Sequence, residues 1–365
     1  MFGELFAPII GPENEVPLVR DLTLSLSLRH EAPSDFDATT VPKIGVHWGL
    51  WEEFSLRATW GESFKAPQFQ QMLGSSVGSL STATATQDPF ATNGSTGVLL
   101  LGGSNRFLEP EHATTWTAGF DYHPSWFTGF ELSATYFDID FVDRIGNAGS
   151  VLAAFANPAG FEGVFIRNPT ADQITTYLGY ATQVVGTMPA DGIEVIWDGR
   201  LVNLATQRTR GIDFNAAYEH DTAFGELRWF ASASLLLQHE RRATATAAPL
   251  DLLDTIFNPV DLRGRAGVSW SKEGWSALAA VNYVDDYRDI ISTPNREINE
   301  WITWDARLAH TWRDDGEPGL QIALNVQNLF DEDPPFANNP IGYAFDSQNA
   351  SGVGRFVSIE LRRTW

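Results

Sequence analysis

Three pairs of neighbouring aspartates are the residues of this 365-residue chain whose type and spacing could do chemistry. Two nearby carboxylates can serve as the acid and base of a hydrolysis, or as oxygen ligands for calcium. The pairs are Asp138 and Asp140, Asp285 and Asp286, and Asp314 and Asp315. Each lies at a predicted strand end or turn, where aspartate is common because its side chain bonds the local backbone. We therefore expect them to be structural.

The histidines and the known catalytic signatures offer no stronger candidate. His47, His112 and His220 share no spacing typical of metal ligands. The sequence contains no G-x-S-x-G, H-E-x-x-H, Walker-type or EF-hand motif. Cysteine is absent, so disulfides and thiolate metal sites are excluded. We predict no catalytic, cofactor-binding or metal-binding residue and no enzymatic activity, which makes a secreted β-rich enzyme the least favoured alternative.

Composition excludes further classes of protein. The chain has 24 Lys+Arg against 46 Asp+Glu and a net charge of -22, which argues against nucleic-acid binding because phosphate neutralisation needs a basic surface. A hydrophobic fraction of 43% is too high for disorder. No run of 18 apolar residues exists, so no transmembrane helix is predicted. Residues 1–10 lack a basic region and contain Glu4, so they do not form a signal peptide.

The elements that position these side chains are β-strands, because apolar and polar residues alternate along most of the chain. The alternating segments are long, as a tilted membrane crossing requires. We expect the following apolar side chains to face lipid: Leu22, Leu24, Leu26, Leu28, Ile44, Val46, Trp48, Leu50, Phe54, Leu56, Ala58, Trp60, Trp116, Ala118, Phe120, Tyr122, Ile212, Phe214, Ala216, Tyr218, Leu227, Trp229, Ala231, Ala233, Leu235, Leu237, Leu262, Ala266, Val268, Trp270, Ile302, Trp304, Ala306, Leu308, Trp312, Leu320, Ile322, Leu324 and Val326.

Two details of this pattern give sharper predictions. Phe130, Leu132 and Ala134 are followed out of phase by Phe137, Ile139 and Phe141, which predicts a β-bulge near Tyr136. Tryptophans at strand ends are typical of the aromatic girdles of membrane barrels, and a sugar-stacking platform is the alternative for the group Trp301, Trp304 and Trp312. The tryptophans expected near the edges of the lipid belt are Trp48, Trp60, Trp116, Trp270, Trp304 and Trp365.

Long and short connectors alternate between the predicted strands. The long ones span residues 28–41, 62–112, 144–206, 240–259, 288–299 and 330–354. The tight ones span residues 50–53, 123–129, 220–225, 271–274 and 314–318, and the first connector, 11–21, is looser. This alternation predicts an antiparallel transmembrane β-barrel with long extracellular loops at one rim and short periplasmic turns at the other.

Two of the long connectors contain local signals. Residues 75–97 are rich in Ser, Thr, Ala and Gly and predict a flexible, exposed segment. Thr170 and Gln173 have the spacing of a capping box and predict the start of a short helix. Asp198-Gly199 between two apolar runs predicts a small hairpin. Folded loops of this kind indicate either a binding role or the solvation of a long connector.

The last strand carries its own signal. Its apolar parity ends on a tryptophan, as expected where a strand closing a membrane barrel meets the water–lipid boundary. An amphipathic strand that closes a soluble sheet is the alternative, and Arg363 departs from the membrane pattern. The segment resembles the C-terminal strand that outer-membrane proteins present to the barrel assembly machinery. That resemblance assigns the assembly signal to Val357, Ile359, Leu361 and Trp365.

Three further segments, in order, resemble the barrel of TonB-dependent outer-membrane receptors. Trp60-Gly-Glu-Ser-Phe-Lys-Ala-Pro67 is similar to the stretch that leaves a strand for a long outer loop. The segment Leu108-Glu-Pro-Glu, continuing to Tyr122, is similar to the entry of the next strand. Asn325-Val-Gln-Asn-Leu-Phe-Asp331 is similar to the end of the penultimate strand. Pro67, Pro110, Gly61 and Gly119 within these motifs are expected to be structural.

The resemblance implies a partial barrel. Receptors of this family have roughly 22 strands and a plugged lumen, whereas about 13 strands are predicted across residues 1–365. We therefore expect the chain to be the C-terminal portion of such a barrel, with the plug domain, the signal peptide and the first strands outside this sequence. A small passive porin is the alternative, and it would require an even number of strands.

The function implied by the resemblance is energy-coupled uptake across the outer membrane of a Gram-negative bacterium. Such receptors take up scarce small-molecule ligands, among them iron–siderophore complexes, cobalamin and some glycans. The expected partners are outer-membrane lipid, the barrel assembly machinery, the small-molecule ligand and the inner-membrane TonB complex, which acts through the plug. The loops 63–109, 145–205 and 330–353 would supply the outer half of the capture surface. The ligand and its individual contact residues are not specified by the sequence.

Overall fold

The computed structural model describes residues 1–32, 37–91, 93–312, 319–339 and 342–363. Its strands are β1 (Phe2–Ile10), β2 (Asp21–Glu31), β3 (Thr39–Trp51), β4 (Phe54–Lys65), β5 (Ser76–Thr84), β6 (Ser95–Gly103), β7 (Glu111–Tyr122), β8 (Phe130–Asn147), β9 (Phe165–Arg167), β10 (Gln183–Gly186), β11 (Val195–Thr222), β12 (Gly225–Arg242), β13 (Leu250–Asp251), β14 (Leu262–Lys272), β15 (Trp275–Val284), β16 (Tyr287–Asp289), β17 (Arg296–Ile298), β18 (Trp301–Trp312), β19 (Leu320–Gln327) and β20 (Phe356–Arg363). The helices are α1 (Phe69–Leu73), α2 (Val151–Ala156) and α3 (Ala171–Tyr180), with single 3-10 turns at Ser125–Phe127 and Pro158–Phe161.

Thirteen of the described strands form one continuous antiparallel wall, the number predicted from the sequence. Their order in space is β1, β2, β3, β4, β7, β8, β11, β12, β14, β15, β18, β19 and β20. Among the residues described, β1 pairs only with β2 and β20 only with β19, so the sheet is not closed. No described helix is both long and apolar enough to cross a membrane.

The predicted apolar face of the wall is confirmed by the strand register. Residues directly opposite each other on antiparallel strands share a face. Trp270, Ala277, Leu308, Leu324 and Ile359 form one such cross-strand row. Leu324 is 44% exposed and Ile359 is 77% exposed. Apolar side chains that are exposed along whole rows of a long-stranded sheet are typical of a surface that contacts lipid.

The opposite face of the wall is polar and internally bonded. Arg57 donates a hydrogen bond of 2.6 Å to Thr135, and the hydroxyls of Thr59 and Thr117 lie 2.7 Å apart. Farther along the sheet, Arg265 forms a 2.7 Å ion pair with Asp305. Polar side chains alternating with lipid-facing ones are what a wet barrel interior requires, and we call this surface the lumen face.

The predicted bulge near Tyr136 is wrong. The pairing of β8 with β11 is continuous from Phe130 to Asn147, and its pairing with β7 has no register shift. Phe137 therefore points to the lumen face, where its ring covers Gly211 so closely that a Cβ there would lie 2.6 Å from it. The apolar residues change from even-numbered to odd-numbered positions because they move from the outward face to the lumen face. The strand itself is unbroken. The register shift lies instead in β12, where Leu237 is the additional residue between Leu236 and Gln238.

The outward face of the wall changes from aromatic to charged side chains at one row of residues. The rings of Trp60 and Trp116 lie 6.1 Å apart on neighbouring strands. Trp116 is directly opposite Asp138, whose carboxylate binds Arg208 at 2.7 Å. Aromatic girdles mark the water–lipid boundary of membrane barrels, so this row is where that boundary is expected.

The outer ends of the strands carry a second, smaller sheet. It has the order β10, β5, β6, β11 and β9, and β11 belongs to both sheets because its first residues extend beyond the wall. Residues 75–97 were predicted to be flexible, which is wrong for the described part: they contain β5 and the start of β6. The predicted hairpin at Asp198-Gly199 is also wrong, since β11 runs straight through it.

The hydrophobic cores of the molecule lie in these outer loops. One face of the small sheet contributes Val98, Val195 and Trp197 to a core that α2 completes with Phe155. The other face contributes Leu99, Leu101 and Ile196, against which α3 packs. Burying both faces requires layers on both sides, so the described residues of loops 66–110 and 148–194, together with the outer end of β11 (residues 195–200), form one folded unit. We call this unit the cap.

Candidate ligand-binding surface at the outer rim

One aspartate of each described pair binds a neighbouring side chain. The expected strand-end position is wrong for Asp138 and Asp140, which lie within β8. Asp138 accepts hydrogen bonds of 3.0 and 2.7 Å from Arg208. Asp285 accepts a 2.8 Å hydrogen bond from the Tyr283 hydroxyl. The pair Asp314 and Asp315 lies outside the described residues. Among those described, no group of three or more histidine, aspartate or glutamate side chains is arranged to hold a metal ion.

The three histidines named above each contact a different neighbouring side chain. His47 lies 3.0 Å from a carboxylate oxygen of Asp21. His112 stacks against Phe64 at 6.5 Å, and His220 stacks on Tyr218 at 4.8 Å. The structure therefore places each of them against its own neighbour in the wall.

Two buried ion pairs hold the cap together. Asp88 is completely buried and accepts bonds from both terminal nitrogens of Arg167, at 2.8 and 3.1 Å, and a 2.5 Å bond from the Thr96 hydroxyl. Burial alone would raise the pKa of Asp88, but the hydrogen bonds from Arg167 and Thr96 outweigh it and hold the pKa below its usual value. The bidentate geometry fixes β9 against the loop that follows β5.

The second pair joins the tip of β11 to α3. Asp198 accepts two 2.8 Å bonds from Arg200, and both residues are buried. The guanidinium of Arg200 lies 4.4 Å from the ring centre of Tyr180, a cation–π distance. Burial raises the pKa of Tyr177, the neighbouring aromatic on α3. Asp198-Gly199 was predicted to be a turn because this dipeptide is common in tight turns. The packing of Asp198 and Arg200 against α3 depends on residues far away in the sequence, so no local pattern predicts it.

The sequence-predicted start of α3 is confirmed in detail. The Thr170 hydroxyl accepts a 3.2 Å bond from the amide of Gln173, and the Gln173 side chain accepts a 2.8 Å bond from the amide of Thr170. This reciprocal arrangement satisfies two amides that a helix start leaves unbonded. Of the two interpretations of the long loops, an ordered structure with its own core fits a binding surface better than simple solvation.

The remaining long loops are fastened to each other by a third core. It contains Ile256, Val260, Val284, Tyr287, Ile298 and Ala337. Asp289 is fully buried and accepts bonds from the amide of Ile291 and from the amide and hydroxyl of Ser292. The described residues of loops 243–261, 285–300 and 328–355 therefore hold a defined position beside the cap.

Exposed aromatic side chains lie on this ordered rim. Phe107 is 58% exposed, with the guanidinium of Arg106 at 4.9 Å and the ring of Tyr180 at 5.9 Å. Phe336 is half exposed beneath Arg296, at 4.5 Å. Exposed aromatic rings offer stacking area for a ligand at low entropic cost.

The lumen face just below the cap carries a cluster that sequence analysis missed. Gln207 of β11 is directly opposite Arg241 of β12 and Phe141 of β8. Its side-chain oxygen also accepts a hydrogen bond from Arg144, whose guanidinium lies 5.8 Å from the Phe141 ring. Burial, and then repulsion from Arg144, lowers the pKa of Arg241. These residues are far apart in the sequence, and the register of the adjacent strands β8, β11 and β12 brings them together.

The predicted assembly signal lies at the free edge of the wall. Val357, Ile359 and Leu361 alternate along β20 and are 55%, 77% and 70% exposed. Trp365 lies outside the described residues. Val357 is directly opposite Val326 and Ile359 is directly opposite Leu324, so these positions continue the lipid-facing rows to the last strand. Their role in assembly stays a prediction.

The sequence and the fold were compared with known proteins. The sequence matches the family described as TonB dependent receptor-like, beta-barrel, over residues 12–329. The search of curated proteins gave no match. Many solved structures are similar, and three of them, with identities of 13–17%, support a likeness of fold.

These three structures are all longer than this chain. The siderophore receptor PirA of Acinetobacter baumannii has 15% identity and a TM-score of 0.57, covering 94% of this chain and 43% of its own. The R480A mutant of the ferric enterobactin receptor PfeA of Pseudomonas aeruginosa has 17% identity, a TM-score of 0.58 and coverage of 100% and 45%. The FrpB iron transporter of Neisseria meningitidis has 13% identity, a TM-score of 0.53 and coverage of 100% and 45%. The chain thus spans less than half the length of these proteins.

Proposed function

This chain belongs to the TonB-dependent receptor β-barrel family, and we propose that it forms part of an outer-membrane receptor for the energy-coupled uptake of a scarce ligand. The family match over residues 12–329 carries the proposal. The ordered cap supports it, because a general diffusion pore has no need of a loop unit with two hydrophobic cores and two buried ion pairs. The barrel wall does no chemistry in this function; it positions the loops that capture the ligand.

We propose further that the chain corresponds to the C-terminal portion of the barrel domain. An open wall of thirteen described strands and the coverage of 43–45% of the similar structures support this. In the complete receptor, the outer membrane of a Gram-negative bacterium would be its location. Lipid, the barrel assembly machinery and, through the plug, the TonB complex would be its partners.

Among ligand classes we favour an iron–siderophore complex over cobalamin or a glycan. The similar solved structures are named as siderophore or iron transport proteins, and this is the support for the choice. The capture surface would comprise the described residues of loops 63–109, 145–205 and 330–353, with Phe107 and Phe336 as exposed rings.

The test is uptake by cells. A Gram-negative strain without its own siderophore receptors would express the complete polypeptide that carries this chain, and radioactive iron would be supplied as a panel of siderophore complexes. We expect saturable uptake of at least one complex that disappears when TonB is deleted. Uptake that is unsaturable and independent of TonB would favour a passive porin, and the absence of uptake for every iron complex, with uptake of cobalamin or a glycan, would correct the ligand class.

A further inference from the structure

Asp289 is a fully buried carboxylate among the outer loops, at the end of β16. Its oxygens accept bonds of 2.9 and 3.1 Å from the amides of Ile291 and Ser292, and a 2.7 Å bond from the Ser292 hydroxyl. These partners are neutral, so no opposite charge offsets the cost of burying the carboxylate. A buried carboxylate is tolerated only when hydrogen bonds satisfy it, and here its own turn supplies three.

A fourth bond joins Asp289 to a different loop. The amide of Asn338 donates a 3.3 Å bond to the carboxylate, and the side-chain nitrogen of Asn338 donates a 3.1 Å bond to the Ser292 hydroxyl. The preceding residue, Ala337, is completely buried in the third core. Packing and hydrogen bonds together therefore fix the backbone at residues 337 and 338.

The same β16–β17 hairpin also contacts the side chain just before this segment. Arg296 of β17 is directly opposite Asp289 of β16. Its guanidinium lies 4.5 Å from the ring centre of Phe336, a cation–π distance. The Phe336 side chain is still 49% exposed. The hairpin thus holds the backbone beside Phe336 through Asp289 and one side of its ring through Arg296.

Another exposed phenylalanine of this loop has a different environment. The ring of Phe330 packs edge-on against Trp304, at 6.4 Å, and Trp304 belongs to the lipid-facing side of the wall. Phe336 is instead held by a hairpin from another loop. An aromatic ring that is held in one position loses little conformational freedom when a ligand stacks on it, which favours binding.

We propose that Asp289 is a positioning residue of the capture surface, which holds residues 337–338 so that Phe336 presents its open side to the transported ligand. This role rests on the proposed function, and it adds which ring contacts the ligand and what orients that ring. Because Arg296 covers one side of Phe336, a planar or apolar group of the ligand would stack on the other. Asp289 is fully buried, so it acts through Phe336 and does not touch the ligand.

The test is a double-mutant cycle on ligand affinity. The complete polypeptide that carries this chain would be purified, and its tryptophan fluorescence would be titrated with a ferric tris-catecholate and with a ferric trihydroxamate. For the complex that binds, Phe336→Ala and Asp289→Asn should each weaken binding about fivefold or more, within the range of couplings between residues in contact. Asparagine cannot replace the carboxylate, because its side-chain nitrogen is a donor facing other donors. In the Phe336→Ala background, Asp289→Asn should have almost no further effect.

The matched control is Asp333→Asn, the same chemical change at an exposed residue of the same loop. It should leave the affinity unchanged. Hydrogen exchange gives a readout that needs no ligand. The amide of Asn338 should exchange faster in Asp289→Asn and no faster in Asp333→Asn, and equal exchange in the strands of the wall would show that every variant folds.

The possible outcomes separate this role from the proposed function. Equal weakening by Asp289→Asn with and without the Phe336 ring would overturn the positioning role, because the effect would not pass through the ring. Unchanged affinity in Phe336→Ala would overturn it too, and both results leave the proposed function standing. Failure of both ferric complexes to bind the unaltered protein would overturn the iron–siderophore function, and with it the role of Phe336 in binding them. Unchanged exchange at Asn338 in Asp289→Asn would show that Asp289 does not hold the loop.

Discussion

Leu324 tests at residue scale which face of the wall meets lipid. It lies in the middle of β19, 44% exposed, opposite Leu308 and Ile359. Leu324→Arg should destabilise the folded barrel by about 2–4 kcal/mol if the position is near the bilayer midplane. Ser358→Arg is the control, because Ser358 is on the lumen face of β20 next to Asn325. Urea titrations in lipid vesicles would measure both, and equal effects would contradict the assignment of faces.

Thr170 tests the cap of α3. Thr170→Ala removes the acceptor for the Gln173 amide and should cost about 1 kcal/mol locally. Hydrogen exchange of residues 171–180 would report the loss as faster exchange. Thr175→Ala is a control on the same helix, since its hydroxyl binds only the carbonyl of Ala171 within the helix. If both substitutions changed exchange equally, the capping box would not stabilise the helix start.

Asp88 gives the cap a predictable pH response. The folded pKa of Asp88 lies below its unfolded value, so the stability from its pair with Arg167 is complete above the unfolded pKa of about 4. That stability is lost as pH falls through the folded pKa. Asp88→Asn should remove this response and weaken the cap at neutral pH, because Arg167 then loses its counter-charge.

The measurement for Asp88 is limited proteolysis of the cap between pH 7 and pH 3. The unaltered protein should become sensitive within the loops 66–110 and 148–194 as the pH falls. Asp88→Asn should be sensitive already at pH 7, because breaking a buried ion pair lowers the free energy of unfolding by roughly 3–5 kcal/mol. Asp37→Asn is the control, since Asp37 lies in a separate loop. A cap that resists protease equally in both proteins would show that the pair is dispensable.

At the scale of elements, the sequence predicts what depends on local alternation. Strand count, the two faces and the alternation of long loops with short turns follow from side-chain parity, which is a property of each strand alone. The start of α3 is equally local. The bulge near Tyr136 was predicted wrongly. From Phe137 onward the apolar residues of β8 lie on the lumen face and Asp138 lies on the outward face, while the strand itself stays regular.

The candidate site could not be predicted in the same way. Arg144, Gln207 and Arg241 are separated by long stretches of sequence and meet only through the register of β8, β11 and β12. The cap was missed for a related reason. The Ser- and Thr-rich strand β5 has few apolar residues of its own, and it is ordered by pairing with β6 and β10. Pairing partners at such distances leave no local signal.

The last strand is the element that the assembly prediction concerns. We expect a chain ending at Thr364 to assemble poorly in the outer membrane while its packed loops are little affected, since Trp365 is proposed as a boundary anchor and assembly cue. Surface labelling and heat-modifiable gel mobility of the complete polypeptide would measure assembly. Trp312→Ala is the control, an exposed tryptophan at the same end of the neighbouring part of the wall. Normal assembly of the shortened protein would contradict the signal.

The whole molecule is an open wall with an ordered rim. The cap cores, the third loop core and the buried ion pairs are self-contained, whereas β1 and β20 each keep one unpaired edge within the described structure. Unpaired backbone groups are not tolerated in hydrocarbon, because water cannot satisfy them there. In a bilayer both free edges would have to be paired, either by the further strands that we propose or by closure of β1 on β20.

The final prediction concerns a polypeptide of residues 1–365 expressed with an added export signal. Because its edges are free, we expect it to aggregate or to close as a leaky pore, and not to support energy-dependent uptake. Uptake of radioactive iron complexes in cells without any other receptor, with and without TonB, would measure this. The complete polypeptide that carries this chain is the control and should restore uptake. TonB-dependent import by residues 1–365 alone would refute the partial-barrel proposal, since the wall would then have to close and couple to energy without additional strands.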